Sequence, residues 1–198
     1  NLGCILYGFQ TTGGYVVGDN VAVIGPGPLG QVSVAVAKAL CAKKVFLVGT
    51  RDDRLEMGKK MGADRLINIH NEDPIQVVRD ETDGLGADLV IESSGADQGI
   101  QTAIEMSKRM GKVLLVGYPE KPVSANFSTM GMRNIQMYSI RGEGWANCAR
   151  AVSMLEQGKV SLKPLATHTF PIDKVQEAFE TFTGRVGGAI KVIVHPNE

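Results

Sequence analysis

Six consecutive residues, Gly25-Pro26-Gly27-Pro28-Leu29-Gly30, set three glycines at the spacing Gly-x-Gly-x-x-Gly. Between a strand and a helix, that spacing serves the binding of a diphosphate by backbone amides. Gly25 permits the tight turn, Gly27 lets the backbone approach the phosphates, and Gly30 lets the helix lie close on the strand. Pro28 and Leu29 open that helix, whose unpaired N–H groups and dipole face the anion. About 20 residues beyond such glycines, the end of the next strand meets either the ribose 2′-hydroxyl of NAD or the 2′-phosphate of NADP. Gly49-Thr50-Arg51 occupies that place here. Gly49 removes a repelling carboxylate, Thr50 offers a hydroxyl donor, and Arg51 carries a guanidinium fork that matches a phosphate. These residue types favour NADP; in the alternative, Asp52 or Asp53 bonds the ribose of NAD.

The glycines work only if residues 21–24 form a strand and residues 29–41 a buried helix, as their β-branched and small-residue runs predict. Further strands are expected at 45–48, 66–69, 89–92, 113–116, 135–140 and 189–194, and helices at 51–61, 74–82, 97–110 and 145–157. Asp173 is expected to cap a last helix that ends near Thr183. Near-continuous apolar strands alternating with helices predict an α/β fold, a doubly wound parallel sheet (Rossmann fold) with helices on both faces.

Composition narrows the partners. The 198 residues carry 21 basic and 21 acidic side chains, so no global field draws the chain to nucleic acid or an anionic membrane. Its apolar runs are far too short to span a bilayer. Cys4, Cys41 and Cys148 are widely separated, which argues against a zinc knot or a disulfide framework and places the chain in a reducing cytoplasm. His70, His168 and His195 have no partner at ligand spacing, and a structural role is expected for His168. Trp145, Met130, Met132 and Met137 read as core or interface packing. The chain opens on Asn1 rather than methionine and so reads as part of a longer polypeptide.

The glycine motif, Gly62-Ala63-Asp64 before a strand, Ile91-Glu92-Ser93-Ser94-Gly95, Val116-Gly117 and the closing Ile190-Lys191-Val192 together resemble the medium-chain alcohol dehydrogenase superfamily, over essentially the whole chain. The resemblance is greatest to its zinc-type alcohol, sorbitol and threonine dehydrogenase branch. It implies that residues 1–20 form a hinge helix and lead-in from a separate catalytic domain, residues 21–170 the dinucleotide-binding domain, and residues 171–198 a helix and strand returning towards the catalytic domain. It implies that Ser94 and Gly95 lie on the nicotinamide side, that Val116, Gly117 and Tyr118 present backbone groups to the carboxamide, and that Lys191 touches the pyrophosphate. Pairing of sheets along 135–140 into a dimer or tetramer is implied too.

Any zinc of the complete enzyme would be held outside this chain. Where zinc-dependent members carry an acidic or cysteine ligand, this chain has Asn1, a poor ligand. That departure leaves open a weakly held zinc, another ligand, or none. Cys4, one helical turn on, reads as a small buried hydrophobe. The expectation is therefore a cofactor-binding domain of an NADP(H)- or NAD(H)-dependent oxidoreductase acting on an alcohol, polyol or carbonyl substrate bound through the other domain. No catalytic or metal residue is assigned here, and the chain alone is expected to bind cofactor without turnover. The alternatives are a zinc-free enone or quinone reductase and a non-catalytic dinucleotide-binding module.

Overall fold

The structure, a computed structural model, describes residues 1–197. A helix α1 (Leu2–Thr11) precedes five βα units: β1 (Asn20–Ile24) and α2 (Pro28–Ala39), β2 (Lys44–Gly49) and α3 (Asp52–Lys60), β3 (Arg65–Asn68) and α4 (Pro74–Asp80), β4 (Ala87–Glu92) and α5 (Gly99–Met106), β5 (Ser107–Leu115) and α6 (Phe127–Met132). Then come β6 (Gln136–Ser139), α7 (Gly144–Glu156), β7 (Ala166–Pro171), α8 (Val175–Thr183) and β8 (Lys191–His195). Strands β1 to β6 form one parallel sheet in the order 3-2-1-4-5-6, the doubly wound topology that the alternation of elements predicts.

The central strands are apolar along their length because helices cover both faces. Val21, Ala22 and Val23 of β1, Val45, Phe46 and Leu47 of β2, and Val90 and Ile91 of β4 are inaccessible to solvent. Small side chains let α2 sit close, so Gly30 through Ala37 are all buried. Among the described residues no helix is long and apolar enough to cross a membrane.

The chain divides into two compact units, Asn1–Val160 and Ser161–Glu198. Residues 1–20, expected as a lead-in, bring α1 against α7 and α2 inside the first unit. Residues 161–170, expected with the dinucleotide-binding domain, fall in the second unit because β7 pairs with β8 in a separate two-stranded sheet. Three local expectations change as well. Residues 107–110, expected as the end of a helix, open β5, because Ser107 turns to extended backbone and pairs with Ala87. Asp173 lies in a single 3₁₀ turn after Pro171, and Lys174 occupies the N-cap position of α8. Of the residues expected in core or interface packing, Met130 and Met137 pack against the core, whereas Trp145 and Met132 stand outside it, 87% and 69% exposed.

At the outer end of the sheet, Arg65 of β3 is bonded to Glu72 and Glu81, and Lys44 of β2 also reaches Glu81 at 2.5 Å. Burial alone would raise the Glu81 carboxyl, but the Lys44 and Arg65 hydrogen bonds outweigh it and hold its pKa below the usual range. A depressed carboxyl stabilises the fold above its unfolded pKa of about 4.3 and loses that contribution as pH falls towards the folded value. Glu81→Gln is therefore expected to lower the urea midpoint at pH 7, with the gap to the parent chain closing below about pH 4. An equal gap at both pH values would refute this role.

Candidate cofactor-binding site

Parallel register brings four strand ends to one level: Ile24 of β1 is paired with Val48 of β2 and Glu92 of β4, and Glu92 with Leu115 of β5. The loops after them, Gly25 to Gly30, Gly49 to Arg51, Ser93 to Gly95 and Val116 to Tyr118, therefore open on one edge. Strand order reverses between β1 and β4, the place where open α/β sheets form their crevice.

The turn after β1 is held by contacts that leave no room for a side chain at Gly25 or Gly30, while a Cβ at Gly27 would meet open space. Gly25 has φ +99°, and a Cβ there would stand 2.8 Å from the Ser94 backbone. A Cβ on Gly30 would lie 1.9 Å from the carbonyl oxygen of Gly25. Ser93 fastens the same turn, its hydroxyl within 2.8 and 2.9 Å of the Ile24 and Gly25 carbonyl oxygens. From below, the buried Gln31 side chain donates to the Pro26 and Arg54 carbonyls. Gln31 N–H bonds Gly27 oxygen, while the amides of Gly27, Leu29 and Gly30 have no backbone acceptor among the described residues. These donors at the opening of α2 fit a diphosphate.

At the end of β2, the space that a side chain on Gly49 would take is already filled. A Cβ there would meet the Pro26 ring at 2.5 Å. Thr50 is exposed, and Arg51 stands at the N-cap of α3. The Arg51 guanidinium pairs with Asp53 at 2.9 Å, and Asn68 donates to Asp52 at 2.7 Å. Both aspartates expected as alternative ribose acceptors thus already hold a donor.

The opposite flank is organised by Glu92, which is wholly buried. Its carboxyl group accepts hydrogen bonds from Ser94 N–H at 2.9 Å, from the Ser94 hydroxyl, and from Gly95 N–H at 3.2 Å. Its carbonyl oxygen accepts from the amides of Val116 and Gly117. One residue therefore fixes both loops expected on the nicotinamide side. Tyr118, half exposed, donates its hydroxyl to the Ile140 carbonyl and ties the β5 loop to the end of β6. Ser94, Gly95 and Tyr118 line a cavity of about 350 Å³ with Asp97, Glu120 and Lys121.

The first unit thus gathers Gly25, Gly27, Pro28, Leu29, Gly30, Gly49, Thr50, Arg51, Ser94, Gly95, Val116, Gly117 and Tyr118. Lys191 belongs to the second unit, exposed on β8. Sequence reasoning missed the supporting side chains Glu92, Ser93, Pro26 and Gln31. Glu92 and Ser93 could have been flagged by polar residues closing an otherwise apolar strand; Pro26 and Gln31 carry no such signal. Among the described residues, no three His, Cys, Asp or Glu side chains gather to hold a metal. Burial raises the Cys4 thiol pKa, which disfavours the thiolate a zinc ligand must be. His168 bonds its neighbour Thr167, with 3.0 Å between ring nitrogen and hydroxyl.

A family model described as zinc-binding dehydrogenase matches residues 28–157. L-Threonine 3-dehydrogenase of Bacillus licheniformis is 35% identical over 185 residues, 92% of this chain and 53% of that protein. Human sorbitol dehydrogenase is 33% identical over 191 residues, 94% of this chain and 52% of that protein. The chain thus spans about half the length of these relatives. Among solved structures, the alcohol dehydrogenase TADH from Thermus sp. ATN1 superposes with a TM-score of 0.89 at 28% identity, covering 96% of this chain and 55% of that one.

The Glu92 arrangement makes a specific demand. In Glu92→Gln an amide NH2 replaces one acceptor and turns a donor towards N–H groups that are already donors. Leaving such a buried group unsatisfied costs about 1–3 kcal/mol. The variant is expected to unfold at correspondingly lower urea, with Ser94 and Gly95 amides losing hydrogen-exchange protection. Unchanged protection at both amides would contradict the role assigned to Glu92.

Proposed function

Because the chain belongs to the zinc-binding dehydrogenase family, we propose that it is the cofactor-binding part of an NADP(H)-dependent oxidoreductase that moves hydride between the nicotinamide and an alcohol, polyol or carbonyl carbon. The observation that carries this reading is the α2 opening, where amides without backbone acceptors stand over a turn closed to a Cβ at Gly25 and Gly30 and open at Gly27. Gly27, Leu29 and Gly30 hold the diphosphate, Thr50 and Arg51 the 2′-phosphate, and Ser94, Gly95, Val116, Gly117 and Tyr118 border the nicotinamide. The bound nicotinamide supplies the hydride acceptor or donor. This chain's own residues bind and orient it; the groups that hold substrate and move its proton lie outside the residues gathered here. The chain alone binds cofactor and does not turn over, in a reducing cytoplasm that agrees with its three unpaired cysteines.

The preference for NADP rests on a comparison of magnitudes. An exposed ion pair such as Arg51 with Asp53 contributes about 0.2–1 kcal/mol. A hydrogen bond to a charged group is worth about 1.5–3 kcal/mol. The 2′-phosphate carries more charge than the Asp53 carboxylate that Arg51 now holds, and that difference favours the exchange. Self-association along β6 is part of the same proposal. That strand is the last in its sheet and pairs only with β5 among the described residues, leaving an edge open to a second copy.

Calorimetric titration of the chain with both reduced cofactors tests the reading: NADPH is expected to bind more tightly than NADH. Arg51→Ala should weaken NADPH binding by roughly ten- to a hundredfold and leave NADH nearly unchanged. Equal affinities in the parent chain would remove the case for Arg51. For the edge contact, sedimentation at rising concentration is expected to show a dimer, and a monomer throughout would overturn it.

A further inference from the structure

On the sheet edge opposite the dinucleotide crevice, three arginines meet at one cavity. Arg79 on α4, Arg109 on β5 and Arg133 directly after α6 line a volume of about 390 Å³ together with Gly84, Leu85 and Ser107. The floor is Ser107, which opens β5 beside Ala87, the first residue of β4. Backbone contacts fix the cluster. Arg79 and Arg133 both donate to the carbonyl oxygen of Glu105, at 3.1 and 3.4 Å, which sets two guanidinium groups side by side. Arg109 donates to the Met132 carbonyl at 3.0 Å, and the Met110 amide to the Arg133 carbonyl at 2.8 Å, joining the β5 turn to the end of α6.

A purely structural role does not account for three cations. Capping the C-terminus of α5 explains one of them, since a helix end carries only about half a negative charge. Each guanidinium has five N–H donors, and each spends one on the carbonyls described above. Among the described residues, none of the three pairs with a carboxylate. Of the acidic neighbours in the chain, Glu81 holds Lys44 and Arg65, Asp80 accepts from Gln76 and the Glu105 side chain accepts from Gln101, while Asp83, beside Gly84, is in no ion pair with the three arginines among the described residues. Adjacent like charges with unused planar donors are the arrangement that recognises a multiply charged oxyanion.

We infer that this cavity is a second anion site, separate from the dinucleotide crevice, that binds a phosphate group through Arg79, Arg109 and Arg133. Its size exceeds a bare phosphate, so a small phosphate ester fits as well as the free ion.

The test is a titration of the full chain with inorganic phosphate, and separately with glycerol phosphate, followed by arginine Nε–H and backbone amide NMR at constant ionic strength. The three arginine signals are expected to shift with a common midpoint, and a lower midpoint for glycerol phosphate assigns the ester as the ligand, equal midpoints the free ion. Arg133→Gln and Arg109→Gln should each raise the midpoint about tenfold, the loss of one or two charge-assisted hydrogen bonds. Arg109 is exposed and bonded once, so its replacement leaves the fold intact even where Arg133→Gln does not. The amides of Gly27, Leu29 and Gly30 report the crevice separately. Shifts confined to those amides, an unchanged midpoint in Arg109→Gln, or the same response to chloride overturns the site. Arginine shifts with an acidic peptide but not with phosphate overturn the ligand class.

Discussion

The contact on which the rest of the first unit depends is the seating of Gly30 on the carbonyl of Gly25, where even a methyl group would lie within bonding range of the oxygen. It brings the first turn of α2 down onto the end of β1, so amides that a helix cannot satisfy internally face out over the strand ends. The small-residue face of α2 follows from it, because a helix held this close at one end must stay close along the sheet. Ser93 and Gln31 then secure the turn from β4 and from beneath, each spending a polar side chain on backbone carbonyls of the turn.

A second constraint runs through Glu92. Burying an acidic side chain without partners is costly, and this one is surrounded by donors from the loop it precedes. The close approach is enforced from two more sides: a Cβ on Gly99 would stand 2.6 Å from one carboxyl oxygen, and one on Gly117 2.9 Å from the other. The loops after β4 and β5 are thereby parts of one hydrogen-bonded unit, and a crevice wall made from two chain segments behaves as one.

Much of this was legible in the sequence for identifiable reasons. The six strands and helices α2 to α5 and α7 could be read because a parallel sheet buried on both faces needs unbroken aliphatic runs, and Gly-x-Gly-x-x-Gly announces its turn through steric necessity; the short α6 could not. The strand Ala166–Pro171 was not legible: Ala-Thr-His-Thr-Phe-Pro has no aliphatic run, and it pairs only with a distant segment. The opening of β5 was hidden by Ser107-Lys108-Arg109-Met110, residues that suit a helix and become strand only through pairing with Ala87. In the site, backbone-determined positions were visible and long-range ones were not. Nothing in the sequence near Pro26 says that its ring fills the space beside Gly49, since that contact joins two loops across the sheet.

That last contact has an evolutionary reading. The proline ring makes positions 26 and 49 interdependent, so an acidic residue at 49 arising alone meets a collision before it meets any cofactor. A smaller residue at 26 must come first, or arrive together with it. Substitution at position 49 is thus a matter of mutational order, with the path through position 26 open and the direct path closed by the ring.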